Sequence, residues 1–579
     1  MERKHTVSTK KFNPQKFNNL KEIIENVKKN YGDEPAFRAK TAEKDVYNDI
    51  LYKDYIDNIN ALGTALISVG LKGQRIGVIG ENKYEWQEAY LSIVCGVGVV
   101  VPLDKALPEN EIYSLIERSG IEAIFYSEKF EPIMKKIKEE KIGNIKYFIS
   151  MEAEETVDNV YSQRELVKLG KDLMKNGAKS YTEAKINNEE MSIMLFTSGT
   201  TAKSKAVMLS HKNICTNIYD ISCIFNLGPG DLILSFLPLH HTFECTVGFL
   251  YPMSAGTTIA FCGGLRHIAE DLKDYHATAM IAVPILFESL YKRLMKEIDK
   301  KGQSNKVKFG KGISNILRKA HIDIRKVIFK EILDNFGGKI RLLVCGGAAY
   351  SPEVEKGLLD IGIPTFQGYG LTETSPVIAA ESLVHRKNGS IGKLLPSVQG
   401  IILDPDEQGI GELAVKGDSV MLGYYENDEA NKEVFTEDGY FKTGDLAYFD
   451  KDDYLFITGR KKSVIVLKNG KNIYPEELEV LINSEEGVKE SFVYGKPDEE
   501  DRDDLKICAK IVYDSEFFEK KGVTDVEEIK QELWNKVKVI NKGVPTYKYI
   551  KEIQITTEEL IKTTTLKIKR YEEIKRVWL

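Results

Sequence analysis

Over its first three quarters the chain alternates short, β-branched-rich runs with longer periodic segments. The runs "QRIGVIG", "EAIFYS", "SIMLFTSG", "DLILSFLPL", "TAMIAVP" and "KIRLLVCGG" each end at small or turn residues, the signature of strands that empty into loops. Helical periodicity fills intervals such as 52–69 and 351–360. This grammar predicts an α/β architecture with doubly wound mixed sheets, whose ligands bind at the carboxyl ends of the strands. A chain of 579 residues exceeds one compact unit, so a second domain is expected. The grammar changes near Gly459. "DYLFITGRKKSVIVLKNGKNIYPEELEVLIN" reads as strand, charged turn, strand, Gly-Asn turn and a helix with Pro475 in its first turn. Two further strands, "ESFVYGK" and "LKICAKIVY", a helix over 526–539 and a lysine-rich tail follow. The reading is a large domain over 1–459 and a small α+β domain over 460–579, with the boundary at "GRKK".

Bulk properties exclude several classes. A net charge of -6 gives no overall attraction to nucleic acid. Seven scattered cysteines without a C-x-x-C fit reduced thiols and a cytoplasmic setting. The basic start "MERKHTVSTKKFNPQKF" lacks the apolar core of a signal peptide. The apolar stretch 89–103 is shorter than the roughly 20 residues of a bilayer crossing, and 249–265 reads as buried helix and strand.

The segment "FTSGTTAKSKAVMLSH" gathers small residues, hydroxyls and lysines, the chemistry that grips phosphate. It fails the Walker spacing, because no second Gly precedes a Lys-Ser/Thr pair. Five other stretches stand in order with it: "LPLHHTFE", "GYGLTETSP", "YFKTGDLAYFD", "GRKKSVIVLKNGKNIYPEELE" and "KTTTLKIKR". Together they resemble the adenylate-forming superfamily over nearly the full length, and within it the long-chain fatty acyl-CoA synthetases.

The resemblance implies a chemistry. Such enzymes join a carboxylate to the α-phosphate of ATP, release pyrophosphate and pass the acyl group to a thiol. Thr197, Ser198, Gly199, Thr200, Thr201 and Lys205 would cradle the leaving pyrophosphate. Ala202, Ser204 and Ala206 stand where the family has Gly, Pro and Gly, which implies either a stiffer loop or a backbone with no need of positive φ there. Gly347 and Ala348, in "CGGAAYSPEV", would form the wall between nucleotide and acyl chain. In "GYGLTETSP", Gly368, Tyr369 and Gly370 would line the nucleotide site with Tyr369 stacking on adenine, Thr372 would contact the α-phosphate, and Glu373, aided by Thr197, would hold Mg²⁺. Asp445 would accept the ribose hydroxyls and Arg460 would close on ribose or phosphates. Lys567, with Lys569 as the alternate, resembles the lysine bridging substrate carboxylate and α-phosphate. Lys462 matches the hinge, and Gly470 lies in the loop lining the coenzyme A channel.

His240 and His241 invite a metal reading, but neighbours on an extended segment point to opposite sides, which argues against a shared ion. By resemblance His241 lines the carboxylate end of the acyl pocket. A fatty acid is the implied substrate, with ATP, Mg²⁺ and coenzyme A. An acyl carrier protein as acceptor and a non-catalytic nucleotide or acyl sensor are the alternatives. Residues 292–330 carry thirteen Lys or Arg against three Asp or Glu. Ile316, Ala320, Ile324, Val327 and Ile328 recur at helical spacing, predicting one basic amphipathic helix over 316–330. It would either touch anionic lipid peripherally or pack on its own domain.

Overall fold

The computed structural model describes residues 5, 10–43, 45–197, 204–320, 322–348, 350–468, 471–497, 505–563 and 568–578. Two large sheets carry the first part of the chain. The eight-stranded sheet runs in the order Gly423–Tyr424, Lys205–Ser210, Met191–Thr197, Val99–Pro102, Arg75–Ile79, Ala123–Tyr126, Tyr147–Ser150 and Val160–Ser162. The nine-stranded sheet has the parallel strands Thr365–Gly370, Leu342–Cys345, Ala279–Ala282, Leu232–Ser235 and Thr258–Phe261 at its centre. All six sequence-predicted strands lie in these sheets. Central strands such as Ala123–Tyr126 and Leu342–Cys345 are buried along their whole length. Helices cover both faces of such strands, so they read as continuous apolar runs rather than alternating ones.

Helix starts follow local chemistry. Ser210 caps the His211–Ile224 helix, and the Asn213 side chain returns the bond to the Ser210 N–H. Ser351 caps Pro352–Asp360, with proline in the first turn. The largest core joins helix Tyr52–Ser68 to both sheets through Leu62, Trp86, Tyr90 and Phe249. Stretch 89–103 turns into helix and the strand Val99–Pro102, and no helix among the described residues is long and apolar enough to cross a membrane.

A four-stranded antiparallel sheet follows, in the order Gln399–Leu403, Gly411–Lys416, Phe441–Phe449 and Leu455–Arg460. Beyond it the chain builds a separate core from Ile473, Leu478, Phe518, Leu533 and Val537 around the strands Val488–Pro497, Leu505–Tyr513 and Ile550–Thr556. One expectation fails. The helix predicted over 316–330 is broken: Ser304–Lys319 ends, and helix resumes only at Arg325–Ile328. The Asp323 carboxylate accepts from the Arg325 N–H two residues on at 3.1 Å, a local turn that competes with a continuous helix between the two segments.

Candidate active site

The carboxyl ends of two neighbouring parallel strands open the site. Leu342–Cys345 runs into Gly346, Gly347 and Ala348, and Thr365–Gly370 ends in Gly368, Tyr369 and Gly370. Gly347 has φ +86, a left-handed conformation that a side chain would strain. At Gly370 a Cβ would stand 1.8 Å from the Pro376 carbonyl oxygen, so only hydrogen fits. A tight turn, Thr372–Thr374, then presents Thr372 and Glu373.

Tyr369, Asp445 and Arg460 converge. The Tyr369 hydroxyl donates to Asp445 Oδ2 at 2.5 Å, and Arg460 Nε stands 2.8 Å from Asp445 Oδ1. Antiparallel register explains half of this: Asp445 on Phe441–Phe449 is the direct partner of Arg460 on Leu455–Arg460. Burial first, then the Asp445 charge, push the Tyr369 phenol well above its ordinary pKa, so it stays a donor. Burial pulls the Arg460 guanidinium down, but the charges of Asp445, Tyr369, Glu373 and Glu476 outweigh it and hold it above its ordinary value. A carboxylate offers about four lone-pair sites, so Asp445 can accept several bonds at once.

Glu373 forms a second focus. Its Oε1 accepts from the Tyr424 hydroxyl at 2.9 Å, and Lys205 Nζ sits 4.6 Å from the centre of the Tyr424 ring. The short strand Gly423–Tyr424 pairs with Lys205–Ser210, which ties this carboxylate to the hairpin formed by Met191–Thr197 and Lys205–Ser210. In that hairpin Thr197 is the direct partner of Lys205, so the two residues flank the mouth of the loop. Ala206 pairs with Phe196 inside the strand, and its extended backbone has no need of glycine. Ser204 is held by Arg118, whose Nη1 donates to its Oγ at 3.0 Å and Nη2 to its carbonyl at 2.5 Å. Ser198, Gly199, Thr200, Thr201, Ala202, Gly470 and Lys567 lie outside the described residues.

Immediately after Arg460, Lys462 lies in the turn Lys461–Ser463, and Lys461 Nζ reaches Glu412 at 2.7 Å. Of the tail lysines, Lys569 Nζ stands 3.4 Å from Glu572 and Lys562 Nζ 2.7 Å from Glu490. Arg570 bonds Glu479 at 2.5 Å and Glu476 at 3.1 Å, which anchors the segment that follows Lys567.

Comparison with known proteins gives the family. The family described as "AMP-binding enzyme" matches residues 24–425, and "AMP-binding enzyme C-terminal domain" matches residues 462–575. The chain belongs to the AMP-binding enzyme family. Among its relatives is the long-chain-fatty-acid–CoA ligase FadD15 of Mycobacterium bovis, 26% identical over 82% of this chain and 79% of that one. Long-chain-fatty-acid–CoA ligase 5 of Rattus norvegicus is 28% identical over 78% and 69%. In fold, the chain is similar to ATP-bound MatB from Rhodopseudomonas palustris, with a TM-score of 0.73 and 23% identity over 97% of this chain and 100% of that one. The anthranilate CoA ligase AuaEII gives 0.75 and 17% over 97% and 98%.

Within this AMP-binding enzyme the histidine pair departs from expectation. The segment is a turn, closed by the His241 N–H donating to the Pro238 carbonyl at 3.1 Å. The two rings therefore lie 4.0 Å apart instead of on opposite sides. His240 Nε2 stands 3.2 Å from Asp104, and one ligand atom from each of Asp104, His240 and His241 falls within 4.8 Å of the others. Three residues of the site region received no role from the sequence. Arg118 and Tyr424 act across 86 and 51 residues of chain, and no local motif marks either one.

The third is Glu244, fully buried on the wide helical segment Phe243–Leu250. Its Oε1 accepts from Ser235 Oγ at 2.6 Å, and a Cβ on Gly248 would stand 2.8 Å from the carboxylate. Burial pushes its carboxyl up to about 8, against the pull of Ser235 and the backbone of Leu237 and Phe236. The folded chain thus favours the protonated acid. Its contribution to stability is full below the ordinary value of 4.5 and is lost as pH rises toward about 8. Glu244→Gln is expected to remove that loss. Urea unfolding across this window should show the variant declining less than the parent, by no more than about 5 kcal/mol at the upper end. Glu88 and Glu381, raised by burial to about 7 and about 8, keep some slope in both proteins. Parallel curves would show that Glu244 is already ionised in the fold.

Proposed function

We propose that this AMP-binding enzyme activates a fatty acid of medium to long chain with ATP and transfers the acyl group to coenzyme A. The observation that carries the adenylation step is the convergence of Tyr369, Asp445 and Arg460 beside the Glu373–Tyr424–Lys205 cluster. It supplies a ribose-type carboxylate acceptor, an aromatic ring and three charged groups at the carboxyl ends of parallel strands. The fatty acid reading is supported by the names of the relatives and by an apolar cavity. Gly368, the neighbour of Tyr369 in the chain, lines that cavity together with Phe243, Val247, Met280 and Val344.

The chemistry asks little of a base, because a carboxylic acid substrate is already ionised at neutral pH and can attack phosphorus directly. The chain's task is to align that carboxylate with the α-phosphate and to stabilise the charge that builds there. Asp445 fixes the ribose, Tyr369 faces the adenine, and Gly347 and Ala348 let the acyl carboxylate approach. Lys205, Arg460 and Lys567 supply fixed positive charge, and Thr372 donates to the α-phosphate. Glu373 and Thr197 are suited to Mg²⁺: Tyr424 occupies one Glu373 oxygen, and among the described residues its other oxygen, a hard donor, takes no hydrogen bond. The bound ion would neutralise charge on the phosphates.

The second half-reaction needs Lys567 to leave and the thiol arm to enter. We assign the exchange to rotation of residues 460–579 on 1–459 about Lys462, with Gly470 lining the thiol channel. ATP–pyrophosphate exchange across a panel of carboxylic acids tests the substrate. Saturated fatty acids of medium to long chain are expected to drive exchange, while aromatic and amino acids leave it near background. Exchange with aryl acids alone, or with no acid, would overturn the reading.

A further inference from the structure

The Ser304–Lys319 helix buries one side and exposes the other in an unusual way. Val307, Gly310 and Ser314 face inward. Lys311 Nζ lies 5.8 Å from the centre of the Tyr291 ring on the Pro284–Lys300 helix. A Cβ on Gly310 would stand 2.8 Å from Ile328, so the Arg325–Ile328 segment packs tightly here too. The opposite face of a surface helix ordinarily carries charge. Here it carries Phe309, Ile313 and Ile316, which are 72%, 37% and 70% exposed. Their spacing of four and then three residues aligns them in one stripe, and exposed Ala320 continues it. Val327, 79% exposed, adds a further apolar side chain on the neighbouring helix.

Lysines frame this stripe. Lys306, Lys308, Lys319 and Lys326 are all exposed. Among the described residues the ion pairs of this segment are Arg293–Glu297, Arg325–Asp323 and Lys330–Asp334, and none uses those four lysines. Single exposed apolar residues are ordinary on a protein surface. A contiguous apolar stripe rimmed by uncommitted cations marks a binding surface.

We propose that this face docks on an anionic lipid bilayer, with Phe309, Ile313 and Ile316 entering the headgroup–acyl boundary and the lysines resting on lipid phosphates. Charge decides the occupant. A second copy of the chain would bring two segments of thirteen Lys or Arg against three Asp or Glu face to face, whereas an anionic surface complements them. The position makes the contact useful. The Pro284–Lys300 helix, on which the docking helix packs, follows strand Ala279–Ala282, whose Met280 lines the apolar cavity. Delivery of a membrane-dissolved acid from this face toward that cavity is a role that rests on the fatty acid reading, though the docking itself does not.

Sedimentation of the full chain with phosphatidylcholine–phosphatidylglycerol vesicles and with pure phosphatidylcholine vesicles tests this. The parent is expected to bind the anionic vesicles at least about tenfold more tightly than the neutral ones, with loss at high salt. Phe309→Glu/Ile316→Glu should weaken anionic-vesicle binding by about tenfold or more and leave pyrophosphate exchange on a water-soluble short-chain acid unchanged. A parent that ignores anionic vesicles, or a double variant that binds like the parent, would overturn the proposal. So would light scattering that shows a dimer split by the same substitutions. Vesicle binding together with a failed acid panel would sink the substrate reading and leave the docking surface standing.

Discussion

In the Lys567→Ala variant, ATP–pyrophosphate exchange is expected to fall by about 10²–10³-fold, the usual cost of removing one donor to charge that develops at the transition state. The same variant should still convert supplied acyl-adenylate and coenzyme A to thioester at close to the parent rate, because the proposed rotation would carry the lysine out of the site before that step. Lys462→Pro is expected to show the reverse. Proline fixes φ, and Lys462 lies in the short turn between Arg460, which stands on Asp445, and the separately cored C-terminal part. A rigid turn would hold the small domain where adenylation occurs, so the variant should make acyl-adenylate and fail to transfer it. The two half-reactions are measured separately, by exchange and by thioester formation from synthetic acyl-adenylate. Parallel loss of both in both variants would remove the case for alternation about Lys462.

Glu373→Gln is expected to lower exchange by about a hundredfold or more and to shift the Mg²⁺ requirement upward. Stability should change little. A glutamine carbonyl still accepts from the Tyr424 hydroxyl, and the Glu373 backbone carbonyl still accepts from the Met421 N–H at 2.8 Å. Activity and folding are thereby separable, and thermal unfolding beside a Mg²⁺ titration reads both. Exchange at the parent rate would show that the metal is held elsewhere, whereas loss of exchange together with loss of fold would make the variant uninformative about charge and shift the test to Glu373→Asp, which keeps the charge and shortens the reach.

Order along the chain carried much of this protein. Burial on both faces writes a parallel strand as an unbroken apolar run, so "EAIFYS" and "KIRLLVCGG" show their strands and the loops at their ends. The glycines of "GYGLTETSP" and the Gly347 position were legible because a chain segment that must approach another backbone, or turn left-handed, leaves few residue choices. Local periodicity also announced the helices, but it could not tell one helix from two. The 316–330 pattern continues in sequence while Asp323 restarts the backbone in space. Nor could alternation along an extended segment foresee the Pro238 turn that brings His240 and His241 onto one side. What the tertiary structure alone decided is which distant groups meet. Arg118 on Ser204, Tyr424 on Glu373, Tyr369 on Asp445 and Ser235 on the buried Glu244 are each set by strand order and burial, quantities that no short window of sequence contains. The same holds for the exposed stripe at Phe309, Ile313 and Ile316. A helical repeat gives an apolar face, but only packing shows that another face was buried and this one was left to the solvent.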